Sequence, residues 1–434
     1  MPMGLTQNSP PEWQKARAPH GTEHWLANPQ ASINPRTTPE QLDQHLTTLA
    51  RDDRWRWPQH SLFFLTDPHA DSRALIESLA LAGLVEQTGQ RASDFELTDK
   101  SKGAQVLIGG DCLGKGPSNL KLLDTLARLR KEGLSLEFLA GNHDLRLPLG
   151  LHCLETEPAA LDEYFFVRMD SKTLPLLAEI WHSRLAYREN PLAQVPDKKT
   201  CKYFLFPRPD WPARFSKAAR ELAPRRIVEH EILQTLQKQR QFKKHYKNMG
   251  MNIRQLYAAA LEARALFMQP GGEYSWFLDS LKLLHREGSL LFVHAGVSDS
   301  LVASMHKHSV QDLNQRFKKT LLMRPGETFL GAFGNAVRTR YRRYDRKFST
   351  QGCASANELG ICAVVHGHRS HREGQRMGMQ SGLLHLAADV TLDRHTRRAR
   401  KLRGRGAGIV SIEPSGCIEG MSSDYPRTKR LIVD

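Results

Sequence analysis

Residues able to bind metal ions recur at five places in the 434-residue sequence. In chain order these motifs are Asp67-Pro68-His69, Gly110-Asp111, Gly141-Asn142-His143-Asp144, Val293-His294-Ala295-Gly296 and Val365-His366-Gly367-His368. Each follows an apolar run that predicts a β-strand. Carboxylate, amide and imidazole groups without a thiolate suit manganese, iron or zinc better than a cysteine-rich structural zinc site. The pattern therefore predicts a two-metal centre at strand ends, the usual machinery for cutting phosphate esters.

The order of these motifs resembles that of the calcineurin-like metallophosphoesterase superfamily, which is D-x-H, G-D, G-N-H-[DE], H and G-H. The resemblance covers roughly residues 61–150 and 286–415. It implies an α/β fold, a two-sheet metallophosphoesterase sandwich flanked by helices. It also implies a metal-dependent phosphohydrolase, in which a dinuclear centre and a metal-bound hydroxide cleave phosphate ester or phosphoanhydride bonds.

The same resemblance implies a set of metal ligands. The first ion would be held by Asp67 and His69, both ions by a bridging Asp111, and the second ion by Asn142, His294 and His368. Manganese is the predicted metal, with iron or zinc as alternatives. The alternative for each histidine taken singly is a satisfied core or turn residue.

Catalytic and phosphate-binding roles are predicted for residues beside the ligands. His143 is expected to protonate the leaving oxygen, because an alkoxide needs an acid to depart near pH 7. Asp144 is expected either to orient that imidazole or to be a turn residue only. The protein phosphatase branch carries G-D-x-x-D-R-G, whereas this chain has Gly114 and Lys115 at the last Asp and Arg positions. Lysine lacks the bidentate fork of arginine, and the predicted phosphate contacts are Lys115 and Arg146.

The G-K-G-P ending of the second motif, together with G-N-H-D, is most similar to the diadenosine tetraphosphatase-like phosphatases. That similarity implies a substrate such as a nucleotide polyphosphate or RNA. A serine/threonine phosphoprotein phosphatase is a second reading, disfavoured by the missing Asp-Arg pair. A polyanion-binding protein with a vestigial metal site is a third, disfavoured because all six ligand positions hold competent residues.

Short apolar runs are the strands that must position these motifs, at residues 61–66, 105–108, 134–139, 289–293 and 361–365. Another run, at 407–412, is predicted to close the second sheet. Helical spacing between the first runs predicts strand–helix–strand units, typical of a layered α/β core.

The chain is predicted to divide into a core and three additions. The core comprises residues 56–150 and 286–420, preceded by a partly disordered N-terminal extension at 1–55 and followed by a C-terminal tail at 421–434. Residues 151–285 keep helical periodicity and are too long for a structureless loop. They are predicted to be a mostly helical insertion over or beside the metal site.

The net charge of +16 is concentrated in three windows. Residues 214–247, 338–348 and 394–405 carry +7, +5 and +7, so the remainder is about −3. Such patches attract polyanions, although solvated surface is the alternative. Two arginine clusters are predicted to lie near one rim of the catalytic face, comprising Arg338, Arg340, Arg342 and Arg343, and Arg397, Arg398, Arg400 and Arg403.

Six scattered cysteines without a paired spacing fit a reducing cytosol, so a cytoplasmic location is expected. No run approaches the ~18 to 20 apolar residues that a membrane span needs. The N-terminal residues 1–11 lack the apolar segment of a secretory signal.

Overall fold

The computed structural model describes residues 18–25, 38–51, 55–89, 91–154, 159–338, 348–380 and 382–432. The disorder predicted for the N-terminal extension concerns residues that lie largely outside these ranges. The same is true of most of the basic window at 338–348.

Elements are labelled in chain order. The strands are β1 (Thr22–His24), β2 (Leu62–Leu65), β3 (Val85–Gln87), β4 (Phe95–Leu97), β5 (Gln105–Ile108), β6 (Ser135–Leu139), β7 (Leu281–Lys282), β8 (Leu284–Glu287), β9 (Leu290–Val293), β10 (Ala363–His366), β11 (Arg376–Gln380), β12 (Leu383–Ala387), β13 (Gly408–Glu413), β14 (Cys417–Ser422) and β15 (Thr428–Ile432). The α-helices are α1 (Pro39–Arg51), α2 (Ser72–Leu81), α3 (Asn119–Lys131), α4 (Asn142–His152), α5 (Phe165–Ile180), α6 (Lys198–Leu205), α7 (Trp211–Ala218), α8 (Arg225–Asn248), α9 (Ile253–Met268), α10 (Ser275–Ser280), α11 (Asp299–Met305), α12 (Val310–Met323), α13 (Pro325–Leu330), α14 (Ala332–Arg338), α15 (Thr350–Glu358) and α16 (Arg394–Ala399).

Two main sheets are formed by the described strands, which confirms the predicted α/β fold class. The larger has the order β1-β15-β14-β13-β2-β5-β6-β7, and the smaller has the order β11-β12-β10-β9-β8. Strands β2, β5 and β6 run parallel to one another, as do β9, β10 and β12. Since parallel strands end at the same edge of a sheet, each sheet presents several strand ends together.

A hydrophobic core holds the two sheets together face to face. Phe64 of β2 and Phe292 of β9 meet there with ring centroids 5.5 Å apart. Alternate residues of β2 face opposite ways, because successive side chains of a strand point to opposite faces. Leu62 and Phe64 lie in the core between the sheets, whereas Phe63 and Leu65 pack in the core beneath the helices.

Both ends of the described chain contribute strands to the larger sheet. β1, from the predicted extension, pairs with β15, from the predicted tail, and the fully buried Trp25 packs beside Gly420. The assignment of 421–434 as a tail is therefore wrong for most of its length. The pairing joins residues about 400 positions apart, and no local pattern predicts such contacts.

The strand at 407–412 forms as β13 but joins the other sheet. It pairs with β2 in the larger sheet, with Val410 opposite Phe64, so the prediction that it closes the second sheet is wrong. The apolar run identifies a buried strand but does not specify its neighbour.

Helices α5 to α10 lie in the range predicted to be a mostly helical insertion. Its end differs from the prediction, because β7 adds to the larger sheet beside β6 and β8 pairs with β9. Within the described ranges, no helix is both long and apolar enough to span a membrane.

Candidate metal centre

The five motifs follow five parallel strand ends. Those of β2, β5 and β6 lie in the larger sheet, and those of β9 and β10 lie in the smaller one. The carboxyl edges of the two sheets meet, since Asp67, after β2, accepts a hydrogen bond from the amide of His368, after β10. The predicted ligands therefore converge although up to about 300 residues separate them in sequence.

Four of the predicted ligands have left-handed backbones shortly after their strands. The φ angle is 58° at Asp67, 42° at His69, 55° at Asp111 and 67° at His368. Non-glycine residues rarely adopt such angles, and they are concentrated at functional sites. These turns lie at the strand ends, where the ligand side chains contact one another.

Asp111 is the centre of the site. Its Oδ1 lies 3.5 Å from Nε2 of His294, and its Oδ2 lies 3.8 Å from Nε2 of both His69 and His143. Nε2 of His294 is also 3.2 Å from Nδ1 of His368. The described residues thus contain two groups able to hold an ion, His69-Asp111-His143 and Asp111-His294-His368, which share Asp111.

Asp67 connects the first motif to the last. Its Oδ1 lies 3.6 Å from Nε2 of His69, while its Oδ2 accepts hydrogen bonds from the Thr66 hydroxyl at 2.6 Å and the backbone amide of His368 at 2.9 Å. Oδ1 of Asp67 is thereby directed towards the group that contains His69. Oδ2 of Asp67 links the end of β2 to the loop that follows β10.

Hydrogen bonds fix the tautomers of two histidines in a form that suits metal binding. Nδ1 of His69 lies 3.3 Å from the carbonyl of Leu113, and Nδ1 of His294 lies 2.8 Å from the carbonyl of Gly109. A carbonyl can only accept, so each Nδ1 carries a proton, and Nε2 is the nitrogen that is left to bind an ion beside Asp111. Metal-binding histidines are commonly oriented in this way.

Asn142 gives a further test of whether the site fits metal ions. It is the first residue of α4, and its buried Oδ1 has no hydrogen-bond partner among the described residues. Burying an unpaired amide oxygen is costly. A divalent cation is a natural partner for such an oxygen, so the residues present fit a dinuclear centre.

Burial and neighbouring charges shift the pKa values within the site. Burial and the nearby Lys115 lower the pKa of His69 to about 3, so the ring is neutral. Burial would also lower the pKa of His294, but Asp111 and Asp67 outweigh it and raise that pKa. Burial would raise the pKa of Asp111, but neighbouring groups, His294 foremost, lower it, so this carboxylate is ionised.

Lys115 belongs to the site, but its ammonium group contacts a ligand. Its Nζ lies 2.7 Å from Nε2 of His69 and donates a hydrogen bond to it. An ion bound by His69 would need the same lone pair, so Lys115 would have to swing away when metal binds. Its predicted contact with phosphate is compatible with that movement and stays a prediction.

Asp144 contacts backbone amides, not the imidazole of His143. Its Oδ2 accepts from the amides of Asp111 and Gly141 at 2.7 and 3.0 Å, and its Oδ1 accepts from Leu113 at 2.9 Å. Burial and the neighbouring Asp111 raise its pKa to about 7. Of the two predicted roles, this geometry supports the turn residue.

Arg146 and His143 lie on the same helix, α4. Arg146 is buried, and its guanidinium donates to the backbone carbonyl of Arg168 in the insertion. This contact ties α4 to α5, so its role in binding phosphate stays a prediction. The backbone amide of His143 donates to Oδ1 of Asp111 at 2.7 Å, which holds His143 beside the Asp111 carboxylate.

Two residues near the site are not predicted from the sequence. Asp389 is buried just after β12, and burial together with Asp67 raises its pKa well above the ordinary value. Lys172, on the insertion, lies close enough to His69 and His143 to lower both of their pKa values. The apolar run before Asp389 could have indicated another strand end that carries a carboxylate. No local sequence pattern marks Lys172.

No protein-family model matches the chain, and no curated protein matches its sequence. Solved structures that align with it include a cold-active protein tyrosine phosphatase, which is 13% identical with a TM-score of 0.45, covering 88% of this chain and 82% of that chain. A serine/threonine phosphatase from Saccharomyces cerevisiae is 11% identical with a TM-score of 0.37, covering 86% and 81%. A metallophosphoesterase from Sphaerobacter thermophilus is 11% identical with a TM-score of 0.28, covering 86% and 89%. With TM-scores this low, activity has to be inferred from the chain's own site.

Proposed function

We propose that the chain is a metal-dependent phosphohydrolase of the calcineurin-like metallophosphoesterase type. The observation that carries this proposal is the placement of Asp111 between two groups of histidines. One carboxylate oxygen faces His69 and His143, and the other faces His294. A carboxylate with two separately directed oxygens can bridge two ions, and paired ions commonly cut phosphate esters and anhydrides.

The ligands divide into two sets around that carboxylate. Two divalent ions, manganese foremost, would be held through Asp67 and His69 on one side, Asn142, His294 and His368 on the other, and Asp111 on both. When bound, the ions would polarise the phosphoryl group and supply an activated water.

His143 is the residue proposed to donate a proton to the leaving oxygen. Burial and the nearby Lys172 hold its pKa well below the ordinary value. A doubly charged phosphate beside the ring would supply the negative charge that a protonated imidazole needs. We therefore expect His143 to take up its proton only in the complex with substrate.

The charge at the rim of the site supports a polyanionic substrate, such as a nucleotide or nucleic-acid-linked phosphate. Helix α16 reaches the Lys115 loop through His395, whose Nδ1 lies 2.9 Å from the Lys115 carbonyl. Arg400 contacts Ser370, two residues after His368. Three other basic side chains of this segment are exposed, namely Arg398, Lys401 and Arg403.

One member of the predicted rim cluster is not available to a ligand. Arg397 is buried and forms an ion pair with Asp424, with Nη2 2.6 Å from Oδ1. Its predicted place on the rim is therefore wrong. Of the other predicted cluster, Arg340, Arg342 and Arg343 lie outside the described residues.

The proposal is tested with a panel of phosphate substrates after chelator stripping. The panel contains an aryl phosphate, a phosphopeptide, a dinucleoside polyphosphate and a 5′-triphosphorylated RNA, each assayed with and without Mn²⁺. We expect turnover only with metal, fastest on the nucleotide or RNA substrate. Fastest turnover of the phosphopeptide would favour a phosphoprotein phosphatase, and metal binding without any turnover would favour a vestigial site.

Asp111→Asn provides the mutational arm of this test. It should abolish hydrolysis of every substrate while the circular dichroism spectrum stays unchanged, because the altered group is a ligand and not packing. Asp99→Asn is the matched control, since Asp99 is 94% exposed. Normal turnover by Asp111→Asn would exclude the two-metal mechanism.

A further inference from the structure

The first helix of the insertion has a strained backbone next to the metal centre. Within α5, Asp170 has φ 39° and ψ −147°, angles that break the helix. A non-glycine residue keeps such a conformation only where its surroundings impose it. Here α8 does so, because Lys238 donates to one oxygen of Asp170 and Nδ1 of His245 contacts the other, each at 2.8 Å.

This kink brings the main chain of Lys172 against the loop that carries Lys115. A Cβ atom at Gly114 would clash with the backbone carbonyl oxygen of Lys172. It would also lie only 2.6 Å from Nδ1 of His143. Gly114 has φ +85°. The absence of a side chain at Gly114, where related phosphatases carry Asp, thus leaves room for the insertion beside His143.

The charge of Lys172 acts on the same face of the site. After burial itself, Lys172 is the strongest influence that lowers the pKa of His143, and it also lowers the pKa of His69. Since the main chain of Lys172 lies against Gly114, the residue before Lys115, the insertion brings a second lysine to this loop.

We propose that Lys172 binds a non-bridging phosphate oxygen of the substrate, and that Asp170, with its partners on α8, is the positioning residue for it. This inference rests on the proposed function. Phosphoryl transfer spreads negative charge over three oxygens, and the arginine that would grip them in the phosphatase branch is Lys115 here. Two lysines, one from the core and one from the insertion, supply the charge that one guanidinium would otherwise bring.

The test is the affinity of the metal-loaded full-length protein for inorganic phosphate, measured by calorimetry. Lys172→Met keeps the length of the side chain and removes its charge, so we expect a loss of about 10- to 100-fold in affinity and in kcat/KM. Lys172→Arg should stay within a few fold of the wild type. The matched control is Lys199→Met on the exposed face of α6, which should change neither value.

Metal content and the melting temperature should be the same in all three variants. If Lys172→Met does not fold, Lys172→Gln makes the same comparison. Unchanged phosphate affinity in a folded, uncharged variant overturns the proposal.

A double-mutant cycle tests whether the clamp, formed by Lys238 and His245 on Asp170, positions Lys172. Lys238→Met should weaken phosphate binding in the wild-type background but have little further effect in the Lys172→Met background, because the clamp acts through Lys172. Fully additive losses would show that the clamp does not position Lys172.

The inference and the proposed function fail in different ways. If the wild type hydrolyses aryl phosphate but Lys172→Met hydrolyses and binds phosphate equally well, only the inference fails. If no substrate is hydrolysed while phosphate binding still depends on Lys172, the inference stands and the proposed hydrolysis fails.

Discussion

Oδ2 of Asp144 lies 2.7 Å from the backbone nitrogen of Asp111. The carboxylate that follows His143 in sequence therefore holds the turn of the residue that joins the two ligand groups. With Gly141 and Leu113, it gathers three backbone amides from two loops. Asp144 therefore stabilises the backbone turns that form the frame of the site. It does not contact the imidazole of His143.

Asp144→Asn should therefore weaken the frame. An amide group would face backbone N–H groups with a donor where an acceptor is needed, so we expect the free energy of unfolding to fall by about 1–3 kcal/mol. Affinity for Mn²⁺ should fall as well, because the turn of Asp111 loosens. Urea unfolding and metal titration measure both effects. Unaltered stability combined with lost activity would instead support the role of orienting His143.

His143→Ala should separate proton donation from metal binding. We expect a loss of about 10²- to 10⁴-fold on substrates with poor leaving groups, and a much smaller loss on an activated aryl phosphate. Steady-state rates with a series of leaving groups of graded pKa measure the difference. Equal losses across the series would argue against proton donation, and a lowered melting temperature would indicate a structural role.

Acid sensitivity should arise partly from His385, a fully buried residue of β12 whose pKa burial lowers to about 3. The unfolded chain, with a pKa near 6.5, binds a proton that the folded chain does not. The stability contribution of the neutral ring is therefore present above pH 6.5 and is lost as the pH falls towards 3. Between pH 7 and 5 the loss is about 2 kcal/mol.

Urea unfolding of His385→Gln at pH 7 and 5 tests this expectation. The variant should lose less stability than the wild type over the same interval, whatever its stability at pH 7. His60→Gln, at an exposed position, is the control and should behave as the wild type. Equal acid sensitivity in wild type and His385→Gln would contradict the prediction.

The basic rim should be required for nucleic acid but not for small substrates. If it contacts a single strand, log affinity falls with log salt at a slope near −0.7 per phosphate. Replacing Arg398, Lys401 and Arg403 with glutamine should reduce that slope and weaken RNA binding, while cleavage of a dinucleoside polyphosphate continues.

Exposed lysines at the opposite edge of the larger sheet provide the control for this experiment. Lys100, Lys102 and Lys131 precede β5 and β6, so their glutamine variants lose the same charge away from the site. If the wild-type protein shows no salt-sensitive RNA binding, the basic rim does not bind nucleic acid and is ordinary solvated surface.

The sequence predicts those parts of the site in which a strand and its ligand are adjacent in the chain. Asp67, Asp111 and His294 all come directly after buried apolar runs, and each lies where the motif order implies. Such a signal is local, because an apolar run and the turn that ends it are only a few residues long. Parallel strands bring the motifs of each sheet to one edge, and contacts between the sheets, such as that of Asp67 with His368, bring the two edges together.

Contacts between distant segments could not be predicted in this way. The main chain of Lys172 lies beside Gly114, next to a kink at Asp170 whose side chain is held by Lys238 and His245, 68 and 75 residues later in the chain. The role of Asp144 depends on which amides face it after folding. The pairing of β1 with β15 likewise has no counterpart in periodicity, since hydrogen bonds between strands leave no trace in either strand's composition.

The pairing of Phe64 with Val410 has a consequence for synthesis on the ribosome. β2, which carries the first metal ligand, can pair with β5 early but lacks its other neighbour until almost the whole chain has emerged. During that time it presents an unpaired apolar edge, the kind of surface that drives nascent chains to associate. A stalled or truncated chain that ends before residue 400 should therefore depend on chaperones to stay in solution.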